Sequence, residues 1–487
     1  MSMEPSSPDR APGGAFFARL DPSRRAAHRL ADRWLAPSGP EAHEDDGASI
    51  ETEVSALDHE RLVLGAMGPL GRAAMLHGVA GSLRAERHDF ALLIAREAGK
   101  PLSLALAEVD RAASTFDLAA EEALREDGTT MALERVAAHA RLRGEVRRVA
   151  RGPVLAITPF NFPLNLVAHK VAPALAVGVP VLVKPSPHTP ISAHALAALV
   201  AEHAAGARPM RVVEASIAHT LALVDDRRLP VVSFTGSAPV GWSLKARAPK
   251  KRVLLELGGT APAIIDDDVA ITDALATHLA ASAFAYAGQV CISLQRVITL
   301  PKTHAAVVDA LTAAARLLRV EDPVTATSIL GPLITPSAAA RVEQLTSDAR
   351  DHGVRFSLQA TRDGSRLGPS IAVVARDQHA LPLVADEAFG PVLCVQSASS
   401  WEDAIAIANE GPFGLQASVF TDRFAHVRDA FARLDFGGVL VNEAPTLRSD
   451  AQPYGGMRES GDGREGVRFA MTDFTDSKIL LWREPSA

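Results

Sequence analysis

The 487-residue chain is 47% hydrophobic and carries 50 basic against 57 acidic residues, a formal charge of −7. That length exceeds what one core supports, so two or three domains are expected, and the acidic excess excludes the basic field that a nucleic-acid partner requires. Only two cysteines, Cys291 and Cys394, are present, too few for a disulfide framework; with no unbroken apolar run of ~20 residues and no apolar signal core, a reducing, cytoplasmic setting without a membrane partner is the expectation.

In chain order, residues 1–14, rich in Ser, Pro and charge, read as a disordered lead. Ser23 is placed to cap a helix with Ala27, Leu30, Ala31, Trp34 and Leu35 on one face and Pro37 as its stop. Pro40 to Ser49 reads as a polar, acidic loop. From Gly71 the pattern is helical, with Leu76, Val79, Ala80 and Leu83 on one stripe, then Phe90, Leu93 and Ile94 on the next, ended by Gly99 and Pro101. A third helix is predicted from Ser103 to Leu124; its Arg111 reads most simply as a solvated charge or a partner of Asp110 or Glu108. Gly128 to Val149 alternates weakly, as a projecting hairpin would.

Short apolar strands separated by helices come next: Val154 to Thr158, Val179 to Val183, a helix from Ser192 to His203, then Val212-Val213, Val231 to Phe234 and Val253 to Leu257. This is the pattern of a parallel α/β sheet, whose ligands bind at the carboxyl ends of the strands. A second α/β set has helices over 271–286, 304–318 and 336–350 and strands at Ile371 to Val374, Val392 to Val395, Ala417 to Phe420 and Val439 to Asn442.

The stretch Phe284 to Ser293 puts Cys291 after a Gly-Gln turn, where Gly288 should end the Ala-rich helix Thr272 to Tyr286, on the way to the strand Arg296 to Leu300. A lone cysteine is by itself more often a small buried hydrophobe, and Cys394 in its apolar run is read that way. Cys291 keeps more specific company. The strand ending Glu256-Leu257-Gly258-Gly259 supplies a carboxylate beside glycines that let backbone approach a ligand. Thr158-Pro159-Phe160-Asn161-Phe162-Pro163 holds an amide in a proline-bounded turn, and Glu387-Ala388-Phe389-Gly390-Pro391-Val392 adds a carboxylate and a ring. Phe234-Thr235-Gly236-Ser237 opens a helix, a seat for phosphate, although Gly236-Ser237-Ala238-Pro239-Val240-Gly241 departs from the G-x-G-x-x-G fingerprint.

In order and spacing these five motifs resemble those of the aldehyde dehydrogenase superfamily, over about Arg72 to Trp482. Their context, including Val290-Cys291-Ile292-Ser293 and Arg448-Ser449-Asp450 ahead of Pro453-Tyr454-Gly455-Gly456, is most similar to the branch of lactaldehyde, phosphonoacetaldehyde and non-phosphorylating glyceraldehyde-3-phosphate dehydrogenases. The resemblance implies an α/β fold with two parallel-sheet domains and a small β oligomerisation arm. Residues 15–127 and 151–257 would bind the dinucleotide, 258–470 would form the catalytic domain, and 128–150 with 471–487 would form the arm of a homodimer or homotetramer.

It also implies roles for single residues. Cys291 would be the nucleophile, Asn161 and the Cys291 N–H the oxyanion donors, and Glu256 the base that hydrolyses the thioester. Thr158, Phe160, Leu257, Gly236 and Ser237 would line the cofactor site, Lys184 the adenosine ribose, and Glu387 and Phe389 the nicotinamide half. No metal is implied. NAD-preferring members commonly carry a Glu where this chain has Pro187; Pro neither binds ribose hydroxyls nor repels a 2′-phosphate, so dual use of NAD and NADP, or preference for NADP, is open. Substrate candidates are Arg111, Arg448, Phe162 and Val290, the last standing where phosphate-binding members tend to place Arg. The expected reaction is oxidation of a small hydroxy- or anionic aldehyde to the acid. A coenzyme A-acylating semialdehyde dehydrogenase, disfavoured by the presence of Glu256, and a catalytically silent protein of the same fold are the alternatives; the product formed with and without coenzyme A separates them.

Overall fold

The structure, a computed structural model, describes residues 44–125, 128–324, 327 and 329–485. The expected lead over 1–14 and the helix after Ser23 lie outside the described residues. Within them the chain forms two largely parallel sheets and a separate three-stranded antiparallel sheet.

The first sheet has the order Gly461–Asp462, Arg252–Glu256, Val231–Thr235, Val154–Ile157, Val181–Lys184, Met210–Val212, parallel except for its short first strand. The chain starts this sheet in its middle, at Val154–Ile157, and runs to one side and then the other. A crevice therefore opens at the strand ends beside it. Three of the flanking helices come from the N-terminal third: Gly47–Ala85, Arg87–Ala98 and Leu102–Ala123. The second sheet runs Arg355–Leu358, Ser370–Val374, Val392–Ser397, Arg296–Thr299, Pro262–Ile265, Gln416–Phe420, Gly438–Val441, antiparallel only at its first pair. In the third sheet Leu142–Ala150 pairs along its whole length with Thr475–Arg483, from Leu142 opposite Arg483 to Ala150 opposite Thr475. Ile479, Leu480, Leu481 and Trp482 stand exposed on it.

Several sequence expectations are corrected. Of the loop expected up to Ser49, residues 40–43 lie outside the described residues and Glu44 to Asp46 are irregular, but Gly47 to Ser49 are helical: Asp46 caps Gly47–Ala85, accepting from Ser49 N at 2.7 Å. That helix starts well before Gly71, interrupted where Gly68 adopts φ 68° ahead of Pro69. By length and composition it is apolar enough to cross a membrane, yet its Glu60 and Arg72 are buried within the fold, Glu60 accepting from Arg211 at 2.7 Å and Arg72 donating to the Ala176 carbonyl at 2.8 Å. The strand Pro262–Ile265, adjacent to the Gly-Gly turn, had no separate signal in the sequence. The proposed boundary at 470 is crossed: Gly461–Asp462 joins the first sheet, and helix Val467–Asp473 packs against Asn165–Ala176. Arg111 pairs with neither Asp110 nor Glu108, which are taken by Arg87 and Lys100; it reaches Asp450 at 2.6 Å.

Candidate active site

The helix before Cys291 ends at Phe284, earlier than periodicity predicts, because Tyr286 is drawn away from it. Its hydroxyl donates to the Ala98 carbonyl at 2.8 Å and its N–H to the Ile329 carbonyl at 2.7 Å. Tyr286, Ala287 and Gly288 then take φ of 53°, 53° and 68°, a left-handed run that costs energy at the two residues with side chains. A Cβ on Gly288 would strike the Gly390 backbone. Gln289 braces the turn, its side chain donating to the Tyr286 and Pro332 carbonyls and accepting from Ile334 N at 2.8 Å. Cys291 follows directly.

A cleft of about 530 Å³ lies at the carboxyl ends of the first sheet, lined by residues from each of the five matched motifs. Thr158, Phe160, Asn161, Lys184, Pro187, Gly236, Ser237, Glu256, Leu257, Cys291, Glu387 and Phe389 all face it. A second cleft of about 450 Å³ shares Ile157, Lys184, Pro187 and Phe234 with it and adds Glu44 and Glu214. Asn161, 3% exposed, donates its amide to the Gln289 carbonyl at 2.9 Å, which ties the amide to the backbone two residues before Cys291. Phe160 meets Phe389 edge-on at 5.9 Å, and Phe389 holds a φ of 43°.

Whether a dinucleotide suits this cleft can be judged from its lining. Ser237 is the N-cap of helix Ala238–Arg247, so the unsatisfied N–H groups of the helix start open beside Gly236. Thr158 Oγ1 and Thr235 Oγ1 are buried without a hydrogen-bond partner. A Cβ on Gly258 would collide with the Glu387 carboxylate, and one on Gly259 would stand 2.9 Å from the Cys291 carbonyl. Small residues, open donors and a carboxylate for hydroxyls are what a nucleotide needs.

Electrostatics sort the carboxyl groups. Burial, aided by Glu465, raises Glu256 well above the ordinary carboxylate range against the pull of Arg448, Lys170 and Arg464. Burial acts on Glu465 too, but Lys170 and Arg448 hold it down at about 2. Glu387 is raised to about 7 by burial, opposed by the Gly259 N–H and Arg341. Burial pushes the Cys291 thiol up to about 11, although a hydrogen bond from Tyr454 works the other way. Cys394 is fully buried and raised to about 12, the core residue it was read as.

The four substrate candidates do not line this cleft. Arg111 is tied to Asp450, and Arg448, with a side chain 5% exposed, bonds Glu465 at 3.0 Å. Phe162 presents its ring to Lys100 Nζ, 3.6 Å from the centroid, and Val290 packs beside Ile292, Leu415 and Tyr454. Sequence reasoning also missed Lys170, Glu465 and His169. Lys170 meets Glu465 and His169 meets Asp450 at 2.9 Å, each pair separated by well over two hundred positions along the chain. Only Tyr454 carried a signal, its place beside the Gly455-Gly456 pair.

A family model described as the aldehyde dehydrogenase family matches residues 41–480. The 3-sulfolactaldehyde dehydrogenase of Priestia aryabhattai is 33% identical over 414 residues, 85% of this chain and 86% of the relative. Among solved structures, aldehyde dehydrogenase 21 from Physcomitrella patens in complex with the reaction product succinate superposes with a TM-score of 0.86 at 35% identity, over 90% of this chain and 91% of that one. Glyceraldehyde-3-phosphate dehydrogenase GapN from Methanocaldococcus jannaschii, complexed with NADP, gives a TM-score of 0.86 at 30% identity over 91% and 96%. The chain belongs to the aldehyde dehydrogenase family and is an NAD(P)-dependent enzyme that oxidises aldehydes to carboxylic acids.

Proposed function

We propose that Cys291 is the nucleophile of this oxidation, Asn161 its oxyanion donor and Glu256 its hydrolytic base, acting on a small hydroxy- or anionic aldehyde. The observation that carries the reading is the meeting of these three side chains with Glu387, Phe389 and the Gly236-Ser237 helix start in one cleft. The Cys291 thiolate attacks the carbonyl carbon, forming a C–S bond and leaving the charge on oxygen, where the Asn161 amide and the Cys291 N–H can meet it. Bound NAD(P)⁺ supplies the acceptor for the hydride that leaves this carbon. Glu256 then takes a proton from water as its oxygen attacks the thioester, the C–S bond breaks, and the acid departs. Because Glu256 is raised, its base form grows with pH and so should the rate of this step.

Lys184, Ser237, Gly236, Thr158, Phe160 and Leu257 are assigned to the cofactor, with Pro187 permitting NADP. The relatives support an anionic substrate: one is named for a sulfonated aldehyde, another was solved with succinate, a third is named for a phosphorylated aldehyde. The exposed apolar strand Thr475–Arg483 is assigned to subunit contact in a homodimer or homotetramer, and a cytoplasmic home fits the free thiols. Residues 151–257 with the N-terminal helices are assigned to the cofactor domain and residues from 258 onward to the catalytic one, less the 461–473 segment.

The test is a pair of variants. Cys291→Ala should abolish turnover and keep cofactor affinity, and residual activity within about tenfold of wild type would overturn the nucleophile, whose loss should cost several decades. Glu256→Gln should give a burst of about one NAD(P)H per site and then a slow steady state. Absence of the burst with a wild-type rate would move the base elsewhere.

A further inference from the structure

Tyr454 is 3% exposed, and its hydroxyl lies 3.2 Å from Cys291 Sγ. The guanidinium carbon of Arg448 stands 3.7 Å from the centroid of the Tyr454 ring. Behind it, Glu465 accepts from Arg448 and from Lys170, each at 3.0 Å. A buried tyrosine must find a partner for its hydroxyl. Here that partner is the sulfur of the cysteine that begins the chemistry.

We infer that Tyr454 is a catalytic residue that donates its hydroxyl hydrogen to the Cys291 thiolate, and that Arg448 is a positioning residue whose charge on the ring face, fixed by Glu465, strengthens that donor. The inference rests on Cys291 being the nucleophile. A thiol is a weak hydrogen-bond partner and a thiolate a strong acceptor, so the O–H···S⁻ bond strengthens once the thiol proton has gone to water. A bond that favours the charged form lowers the pH at which that form appears. A cation over the ring face draws on its π density and makes the phenol a better donor.

The groups facing the sulfur make this contact consequential. Burial, Glu387 and Glu256 all act against the thiolate, and among the described residues Tyr454 and Arg448 act for it. Tyr454 itself keeps its hydrogen: burial, the neighbouring Cys291 and Glu256 hold it well above its ordinary range, with Arg448 opposing. Arg448 stays charged, since Glu465, Tyr454 and Glu256 outweigh its burial.

The experiment measures alkylation of Cys291 by iodoacetamide in the full-length enzyme between pH 6 and 10.5, read on the Cys291 peptide by mass spectrometry so that Cys394 does not contribute. For Tyr454→Phe the profile should move up by about one pH unit, with alkylation at pH 7.5 slowed about tenfold, the size expected for losing one charge-assisted hydrogen bond. The acid limb of kcat/KM should move with it. Arg448→Met should shift the profile in the same direction by less, and Arg448→Lys should restore part of it. An unmoved alkylation profile in folded Tyr454→Phe, or a change in KM alone, would overturn the donor role. Alkylation reads the sulfur whether or not it turns over. Activity surviving in Cys291→Ala would therefore defeat the nucleophile assignment, whereas an unmoved profile defeats Tyr454 alone.

Discussion

If Glu387 holds the cofactor as proposed, cofactor affinity should be a function of pH. Its carboxyl lies in the cleft, accepts from Gly259 N at 3.1 Å, faces Arg341, and titrates at about 7 because it is buried. If the ionised carboxylate accepts hydrogen bonds from ribose hydroxyls, binding must remove its proton below pH 7. The ionised fraction then falls about tenfold for each pH unit below that value, so the Kd for NAD(P) should be about tenfold weaker at pH 6 than at pH 8 and level off above 8. In the free protein the sign is opposite: a carboxyl raised from 4.5 to about 7 contributes stability below 4.5 that is lost as pH rises through 7. The assay is quenching of intrinsic fluorescence by the dinucleotide at fixed ionic strength from pH 5.5 to 8.5, on wild type and Glu387→Gln. The variant should bind with a flat profile and about the weakened affinity of the protonated form. A flat profile in wild type, or the same slope in Glu387→Gln, would refute the assignment.

Pro187→Glu should lower kcat/KM for NADP relative to NAD by about one to two decades, the worth of one charged contact, from a wild type that uses the two within about tenfold of each other. Glu44→Gln should shift the same ratio toward NADP, because Glu44 lines the cleft beside Lys184 and acts on its charge; an unchanged ratio in both variants would place cofactor choice elsewhere. Arg296→Met should destabilise the second sheet by about 3 kcal/mol or more, read as a lower urea midpoint. This arginine, 2% exposed, donates to the carbonyls of Thr260, Ile407 and Ala408, and each stranded carbonyl costs about 1–3 kcal/mol. A midpoint within error of wild type would mean those carbonyls find other donors.

The sequence by itself determined the two parallel sheets and the residues that ring the cleft. Strand ends are local: Glu256 followed by two glycines, Asn161 between prolines and Gly236-Ser237 ahead of a helix each announce themselves within six residues, and a parallel sheet gathers such ends at one edge. Cys291 was legible for the same reason. The conformation that delivers it was not, because the unwinding at Tyr286 depends on the Ala98 carbonyl, 188 positions away. Tertiary structure alone also decided the partners of the buried charges. Arg111 has acids close by in sequence, yet it reaches across to Asp450, and Arg448 is committed to Glu465 and the Tyr454 ring. A charge taken out of water must find an opposite charge or a hydrogen-bond partner wherever the fold offers one. That search runs through space, and residue spacing along the chain carries no record of it.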